Sequence, residues 1–183
     1  MLKITGGQLR GRGFKAPPGL ATRPTGAKMR QALFNILGPR VAGARVADIF
    51  AGSGALGLEA LSRGAAWCLF VENNRATARL IQANLASLGL EETGRVAAAG
   101  LEAATGALKA RAPFDLVLAD PPYGKGQVAR LLNLAAQGWL LAPGGQMIIE
   151  HSPEEDPGVP VGLKAQDRRR YGQSELSFFT TDD

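Results

Sequence analysis

The sequence has little cysteine: Cys68 is the single thiol among 183 residues. This scarcity excludes a disulfide framework and indicates a protein of a reducing compartment. Cys68 lies in the apolar run 67–71, where no cation or histidine accompanies it in the sequence. We therefore expect a packed core thiol and not a reactive nucleophile.

Long apolar stretches and metal-binding patterns are also missing. No run of 18 apolar residues occurs and no signal-peptide pattern opens the sequence, which favours a soluble, cytoplasmic protein without a membrane partner. No group of histidine, cysteine and acidic residues has metal-ligand spacing, so no metal is expected. The one histidine, His151, is not expected to be a catalytic base.

Acidic residues are absent from the first 47 positions, where nine lysines and arginines occur. The first carboxylate is Asp48, and the whole chain carries a formal net charge of +5. A basic segment can be an ordinary solvated face, but the complete lack of acids over this length favours a polyanionic partner, namely nucleic acid.

Glycine and proline mark an N-terminal arm that precedes the main body of the chain. Residues 1–19 combine short strand-forming segments around Leu2 and Phe14 with a glycine–arginine loop between them. A helix is predicted over 24–37, because apolar residues recur there at helical spacing.

From Arg45 onward, strand-length apolar runs alternate with helical patterns, which predicts a doubly wound, Rossmann-like α/β fold. The sheet is expected to be mostly parallel, with a C-terminal antiparallel hairpin and a small N-terminal hairpin-and-helix extension. Residues 1–40 would form the extension and 41–183 the α/β domain. The predicted strands are 45–50, 66–72, 95–99, 114–119 and 145–150, the predicted helices lie near 55–63, 75–88, 101–110 and 126–136, and the hairpin pairs 163–170 with 175–180.

The first strand of this α/β domain runs into a glycine loop at residues 52–57, whose spacing matches the G-x-G-x-x-G dinucleotide fingerprint. Glu72 ends the next strand, where an acid would accept hydrogen bonds from ribose hydroxyls. This pattern alone predicts a nicotinamide-dependent dehydrogenase. Asp48 argues against that prediction, because a carboxylate beside the helix N-terminus repels a pyrophosphate. The same carboxylate suits a ligand with an amine and a sulfonium, and so favours S-adenosylmethionine as the cofactor.

A second polar segment, Asp120-Pro121-Pro122-Tyr123, ends the fourth predicted strand and is called the DPPY segment below. Strand ends of a parallel sheet share one edge, so this segment is expected to face the glycine loop across a crevice. Asp120 and the Pro121 carbonyl would accept both N–H groups of a nucleobase amine and draw its nitrogen toward tetrahedral geometry. Tyr123 would stack on a base extruded from its helix. The segment therefore predicts methylation of an exocyclic amine.

Together, these segments resemble the RsmD family of bacterial ribosomal RNA guanine 2-amino methyltransferases, over nearly the whole chain. The resemblance implies a class I fold over 41–183 and methyl transfer from S-adenosylmethionine to the 2-amino group of one guanine in 16S rRNA. The substrate would be a small ribosomal subunit, and the enzyme is expected to be a monomer. The matching segments are Gly6-Gly7, Arg10-Gly11-Arg12, Arg23-Pro24-Thr25, Ala32-Leu33-Phe34-Asn35, residues 48–60, the DPPY segment and Tyr171-Gly172.

By position, the resemblance implies three groups of site residues. The donor would be bound by Asp48, Phe50, Ala51, Gly52, Ser53, Gly54, Leu56, Glu72, Asn73, Gly100, Leu101 and Asp120. The guanine would be bound by Asp120, Pro121, Pro122 and Tyr123. RNA would be contacted by Arg10, Arg12, Arg23, Thr25, Lys28 and Arg30. Since Ala99 offers no polar side chain, the adenine would be contacted by backbone groups of Gly100 and Leu101, or by Glu102.

Two other functions stay open at this stage. One is a basic RNA-binding module whose donor fold has lost catalysis. The other is an amino methyltransferase that acts on another RNA or on DNA, although DNA enzymes of this kind usually carry a larger target-recognition region than this chain offers.

Overall fold

The structure is a computed structural model that describes residues 1–18 and 24–181. Two residues predicted to contact RNA, Arg23 and the side chain of Thr25, lie outside the described part. Within it the elements are, in order, β1 (Leu2–Lys3), β2 (Gly13–Phe14), α1 (Pro24–Leu37), a 3₁₀ segment (Gly38–Val41), β3 (Arg45–Ile49), α2 (Ala55–Ser62), β4 (Trp67–Val71), α3 (Arg75–Leu88), β5 (Gly94–Ala97), α4 (Leu101–Lys109), β6 (Phe114–Ala119), α5 (Gln127–Ala135), β7 (Leu141–His151), β8 (Leu163–Tyr171) and β9 (Ser174–Thr181).

Seven strands form one sheet in the order β5-β4-β3-β6-β7-β9-β8. The first five are parallel, and β9 and β8 add an antiparallel hairpin at one edge. The chain moves outward from β3 to β5 and then crosses back to β6, so the strand order reverses between β3 and β6. In open α/β sheets, ligands bind at this reversal point, outside the carboxyl ends of the strands.

Helices cover both faces of the sheet, which explains why the central strands β3, β4 and β6 are buried along nearly their whole length. One face packs against α1, α2 and α3, through a cluster that includes Phe34, Leu58 and Ile81. The other face packs against α4 and α5, through a cluster that includes Leu108 and Leu131. Among the described residues, no helix combines the length and apolarity that a membrane crossing requires.

The N-terminal arm, residues 1–18, folds onto the first of these two helical layers. Its strands β1 and β2 pair with each other, and Ile4 and Phe14 are buried in the cluster of α1, α2 and α3. The backbone of Lys15 exchanges two hydrogen bonds with the Asn84 side chain on α3, at 2.9 and 2.8 Å. The arm is therefore anchored by both apolar and polar contacts, and it shares a core with the α/β domain.

The predicted fold class and order of elements are confirmed, including the C-terminal hairpin, which turns between Tyr171 and Ser174. Several boundaries differ by one or two residues, and the largest difference is at β7, which begins at Leu141 and not at residue 145. Its ladder with β6 is interrupted by a bulge around the Pro143-Gly144-Gly145 turn, so the strand resumes after a segment that the sequence correctly marks as irregular.

Candidate active site

The glycine loop leaves β3 through backbone conformations that few residue types adopt. Phe50, Gly52 and Gly54 have φ angles of 63°, 53° and 76°, in the left-handed region. A phenylalanine there is uncommon and must be held by its surroundings. The next residue, Ala51, donates its N–H to the Val71 carbonyl at 3.0 Å and so ties the turn to β4. A Cβ built at Gly52 would have only the Phe50 carbonyl oxygen within 4 Å, at 3.9 Å, so the loop leaves room beside its backbone for a ligand.

Glu72 fastens the glycine loop to the end of β4. Its Oε2 accepts the Gly52 N–H at 2.8 Å, and its Oε1 accepts the Asn74 N–H at 2.7 Å. Asn74 in turn caps α3, because its side-chain oxygen accepts the N–H groups of Ala76 and Thr77. The carboxylate is thus oriented at the sheet edge, beside the loop, before any ligand binds.

Asp48 lies directly beneath the loop, with 1% of its surface exposed. Its Oδ2 accepts the Gly57 N–H at 2.8 Å and thereby holds the first turn of α2. Burial raises the pKa of Asp48 to about 8; the Gly57 hydrogen bond opposes this shift, while Asp120 and Glu72 add repulsion that reinforces it. The sequence suggested a carboxylate that faces the donor. The structure encloses it, so Asp48 acts through the position of α2, and a cation bound above the loop would favour its ionised form.

Asp120 stands at the centre of the crevice, one residue beyond the last paired residue of β6. Ala119 pairs with Ile49 on one side and with Ile149 on the other, so one further step brings Asp120 beside the glycine loop and beside Glu150. Surrounding protein desolvates the Asp120 carboxyl and Glu150 repels it, which raises its pKa to about 7. Asp120 nevertheless remains exposed to solvent, so a ligand can reach its carboxyl group.

The remaining part of the DPPY segment forms a fixed platform. Pro121 is buried and Pro122 exposed, and Tyr123 has 43% of its surface exposed. The Tyr123 hydroxyl donates to Glu150 Oε1 at 3.3 Å and lies 3.0 Å from Ser174 Oγ. The ring is therefore held at its polar end while part of the side chain remains open to a ligand.

Four carboxylates lie together among the described residues at this edge of the sheet. Glu72 and Asp120 directly follow β4 and β6, Glu150 is the penultimate residue of β7, and Asp48 lies below them. Among the described residues, no lysine or arginine forms a salt bridge with Asp48 or Asp120. These carboxylates repel the negative charge of a pyrophosphate, but they stabilise the positive charges of a sulfonium and an ammonium group. The residues present therefore fit S-adenosylmethionine better than a nicotinamide dinucleotide.

The residues predicted to lie near adenine are found on the β5 side of Glu72. Gly100 begins α4 and Leu101 is buried in its first turn. The Asn73 Oδ1 lies 3.7 Å from the position that a Gly100 Cβ would occupy, so these two residues are neighbours. The other residues predicted for the donor site lie in or just after the loop, and they are Phe50, Ala51, Ser53 and Leu56.

The residues predicted to contact RNA occupy different environments. Arg10 and Arg12 are exposed on the arm, and Lys28 is exposed on α1. Arg30 is buried instead, with its Nε 3.3 Å from Glu59 Oε2. Its guanidinium also donates to a backbone carbonyl of the arm at 2.7 Å. The structure thus corrects the expectation for Arg30, which joins α1, α2 and the arm inside the protein.

Two residues of the crevice, Glu150 and Ser174, were missing from the sequence prediction. Glu150 follows an apolar run, as Glu72 and Asp120 do. This pattern, an acid directly after an apolar run, could have identified Glu150 in the sequence. Ser174 had no such pattern, because only the pairing of β9 with β7 brings it to Tyr123, 51 positions away in the sequence.

Fold and site together define a Rossmann-like methyltransferase domain, with its glycine loop and DPPY segment at one edge of the sheet. Residues 2–180 match the family described as "Conserved hypothetical protein 95". The chain belongs to this family, the RsmD family.

Named relatives match nearly the whole chain. It is 34% identical over 180 residues to "Putative rRNA methyltransferase YlbH" of Bacillus subtilis, covering 97% of this chain and 98% of the relative. It is 35% identical over 173 residues to "Ribosomal RNA small subunit methyltransferase D" of Escherichia coli, covering 94% and 86%.

Solved structures show the same fold. "Putative methyltransferase yhhF from Escherichia coli" superposes with a TM-score of 0.85 at 35% identity, covering 99% of this chain and 98% of that one. A hypothetical protein of Thermus thermophilus, TTHA0928, gives a TM-score of 0.80 at 32% identity, covering 97% and 98%.

Proposed function

We propose that this protein transfers a methyl group from S-adenosylmethionine to the exocyclic 2-amino group of a guanine in 16S rRNA, within an assembled or partly assembled small ribosomal subunit. The observation that carries the proposal is the position of Asp120, one register step from both the glycine loop and Glu150, at the reversal point of the sheet. The names of the two relatives, an rRNA methyltransferase and a small-subunit rRNA methyltransferase, support the RNA substrate.

The donor would be bound between the glycine loop and the β5 side of the crevice. When bound, S-adenosylmethionine supplies an electrophilic methyl group. Glu72 is oriented to accept hydrogen bonds from ribose hydroxyls, with Asn73 and Gly100 beside it. The open space at Gly52 lets the backbone approach the ligand, since no side chain intervenes.

Asp120 and the Pro121 carbonyl would bind the amine that is methylated. An aryl amine is a weak nucleophile because its lone pair is delocalised into the ring. Two acceptors on its N–H groups favour tetrahedral nitrogen and restore the lone pair. Transfer would exchange the S–C bond of the donor for the new N–C bond and leave S-adenosylhomocysteine. The Asp120 carboxylate can take up the proton that the nitrogen releases, a role that its raised pKa suits.

Tyr123 would stack on the extruded guanine, because its ring is partly exposed and its hydroxyl is held by Glu150 and Ser174. The arm and α1 would contact the RNA backbone through Arg10, Arg12 and Lys28, whose cationic side chains are exposed.

Methyl mapping tests this proposal. Small subunits from a strain that lacks the modification are incubated with the protein and isotopically labelled S-adenosylmethionine, and the label is located by nuclease digestion and mass spectrometry. We expect N2-methylguanosine at one position of 16S rRNA. A label on adenine or cytosine would contradict the guanine assignment, and RNA binding without label would favour a non-catalytic RNA-binding module.

A further inference from the structure

We infer that Glu150 is the residue that selects guanine, by accepting a hydrogen bond from the N1–H group of the base. The inference rests on the proposed function and extends it, because it names the group that distinguishes guanine from the other bases that carry an exocyclic amine.

Glu150 and Asp120 lie on the same face of the sheet and at the same level. The ladder pairs Leu118 with Ile148, and both of these residues belong to the cluster under α1, α2 and α3. Side chains alternate between faces along a strand, so the residues two positions further, Asp120 and Glu150, share that face. Neighbouring strands are about 4.8 Å apart, which places two carboxylates side by side at the end of the crevice.

The Glu150 carboxylate is oriented by Tyr123, the residue on which the base would stack. Tyr123 Oη donates to Glu150 Oε1 at 3.3 Å, and the Ser174 hydroxyl, at 3.0 Å, can donate to the same Tyr123 oxygen. A base stacked on Tyr123 would have its edge next to the acid that holds this ring. A carboxylate has about four acceptor sites, so acceptance from Tyr123 is compatible with acceptance from a base.

The number of donors on guanine requires a further acceptor here. Its Watson–Crick edge carries two N–H groups on the 2-amino nitrogen and one on N1. Asp120 and the Pro121 carbonyl account for the two amine hydrogens. The N1–H lies next to the amine, and Glu150 lies next to Asp120, so each donor of the desolvated base has an acceptor.

The same arrangement rejects adenine and cytosine. In both of these bases, the ring nitrogen beside the exocyclic amine is an acceptor without a hydrogen. A carboxylate oxygen of Glu150 would face a lone pair there, and the two acceptors would repel each other because no hydrogen lies between them. A site that hydrogen-bonds a substrate N–H discriminates strongly against an analogue that lacks it.

A guanine analogue tests the role of Glu150 directly. 2-Aminopurine retains the reactive 2-amino group, but its N1 is an acceptor. Small subunits are reconstituted with guanine or 2-aminopurine at the mapped position, and kcat/KM is measured for wild type and for E150Q. We expect wild type to prefer guanine by roughly 10- to 100-fold. E150Q, whose amide can donate to N1, should narrow this preference by about tenfold or more.

Two controls separate selection from folding. S174A keeps the carboxylate but removes the hydroxyl beside Tyr123, so it should lower turnover on both bases and leave the preference unchanged. S-adenosylmethionine affinity and the melting temperature of E150Q are measured in parallel. If E150Q lowers kcat/KM equally for both bases, or leaves the preference at the wild-type value, Glu150 does not select guanine. If the wild-type protein methylates neither guanine nor 2-aminopurine at the mapped position, the proposed function fails and this inference fails with it.

Discussion

Arg30 Nε lies 3.3 Å from Glu59 Oε2, and only 7% and 1% of these two side chains are exposed. Glu59 also accepts hydrogen bonds from the Thr5 N–H and hydroxyl, both at 2.8 Å, and from Arg63 Nε at 2.8 Å. One buried carboxylate thus joins the arm, α1 and α2.

Replacing Glu59 with Gln should destabilise the protein strongly. The amide keeps the shape of the side chain but leaves the buried Arg30 guanidinium without a counter-charge, which typically costs about 3–5 kcal/mol of unfolding free energy. Urea unfolding measures this loss, and hydrogen exchange should show loosening of residues 1–14. E102Q is the matched control, because the Glu102–Arg130 pair is exposed and contributes about 0–1 kcal/mol. Equal effects of E59Q and E102Q would show that the buried pair is unimportant.

Gly57→Ala should also destabilise the protein, by about 1–3 kcal/mol. A Cβ at Gly57 would lie 2.7 Å from Phe70 Cζ and 2.8 Å from Cys68 Sγ, so α2 would be forced away from β4. Gly106→Ala is the control: it lies inside α4 with no atom within 4 Å of its Cβ position, and it should be neutral or stabilising by up to about 1 kcal/mol. Thermal unfolding compares the two, and a neutral G57A would mean that the helix adjusts freely.

Asp120→Ala should lower kcat for methyl transfer by roughly 10²–10³-fold or more, since it removes the acceptor that activates the amine. Donor affinity, measured by calorimetry, should stay near the wild-type value. Asp120→Asn retains an acceptor oxygen and should keep part of the activity. Near-normal turnover of D120A would exclude the acceptor role.

The pH dependence of methyl transfer should follow Asp120. Its pKa is raised, and the acceptor role needs the carboxylate, so kcat should fall as pH decreases through about 7. In D120N, kcat for the residual activity should not fall over this pH range. If kcat of D120N falls in the same way, the titration belongs to another group.

Asp48 should make the unliganded protein less stable as pH rises. Its pKa is about 8 in the folded state and near 3.8 when exposed, so the folded protein binds one more proton between these values. The stabilising contribution is complete below pH 3.8 and is lost progressively up to about pH 8. D48N, which retains an acceptor for the Gly57 N–H, should remove this part of the slope in urea unfolding. An unchanged slope in D48N would contradict the assignment.

Replacing Arg10 and Arg12 with Glu should weaken RNA binding and reduce its salt dependence. Loss of two phosphate contacts lowers the slope of log K against log salt by roughly 1.4–1.8. The control K109E/R130E makes the same charge change on α4 and α5, on the opposite face of the sheet, and should preserve the slope. Filter-binding titrations over a salt series measure both, and identical slopes for the two variants would remove the arm from the RNA-contacting surface.

The alternation of strands and helices from Arg45 onward was predictable, because each segment shows the residue spacing of a strand or of a helix in the sequence itself. The glycine loop and the DPPY segment each follow an apolar run, so their meeting at one sheet edge follows from parallel pairing alone. The neighbour of Asp120 was not predictable in this way. Glu150 becomes its neighbour only because β7 pairs with β6, and strand order is a tertiary property that no local pattern encodes.

The environment of charged residues was equally hidden from the sequence. Arg10 and Arg30 both occur in the acid-free segment, yet the first is exposed and the second is buried against Glu59. A buried ion pair between positions 29 apart depends on how α1 crosses α2. The basic character of the segment therefore favours a polyanionic partner, but it does not identify which cations are exposed to contact such a partner.

The contacts that anchor the arm determine when it can fold onto the rest of the chain. The arm is synthesised before α2 and α3, so its hydrogen bonds to Glu59, Ser62 and Asn84, which span 53 to 69 positions, form only after those helices exist. Closing such long loops is slow compared with forming local helices. One helix that binds the arm, α2, begins directly after Gly54 of the glycine loop. The arm therefore docks only after the glycine loop has folded. A chain whose glycine loop has not formed therefore also lacks the ordered basic surface that the docked arm presents.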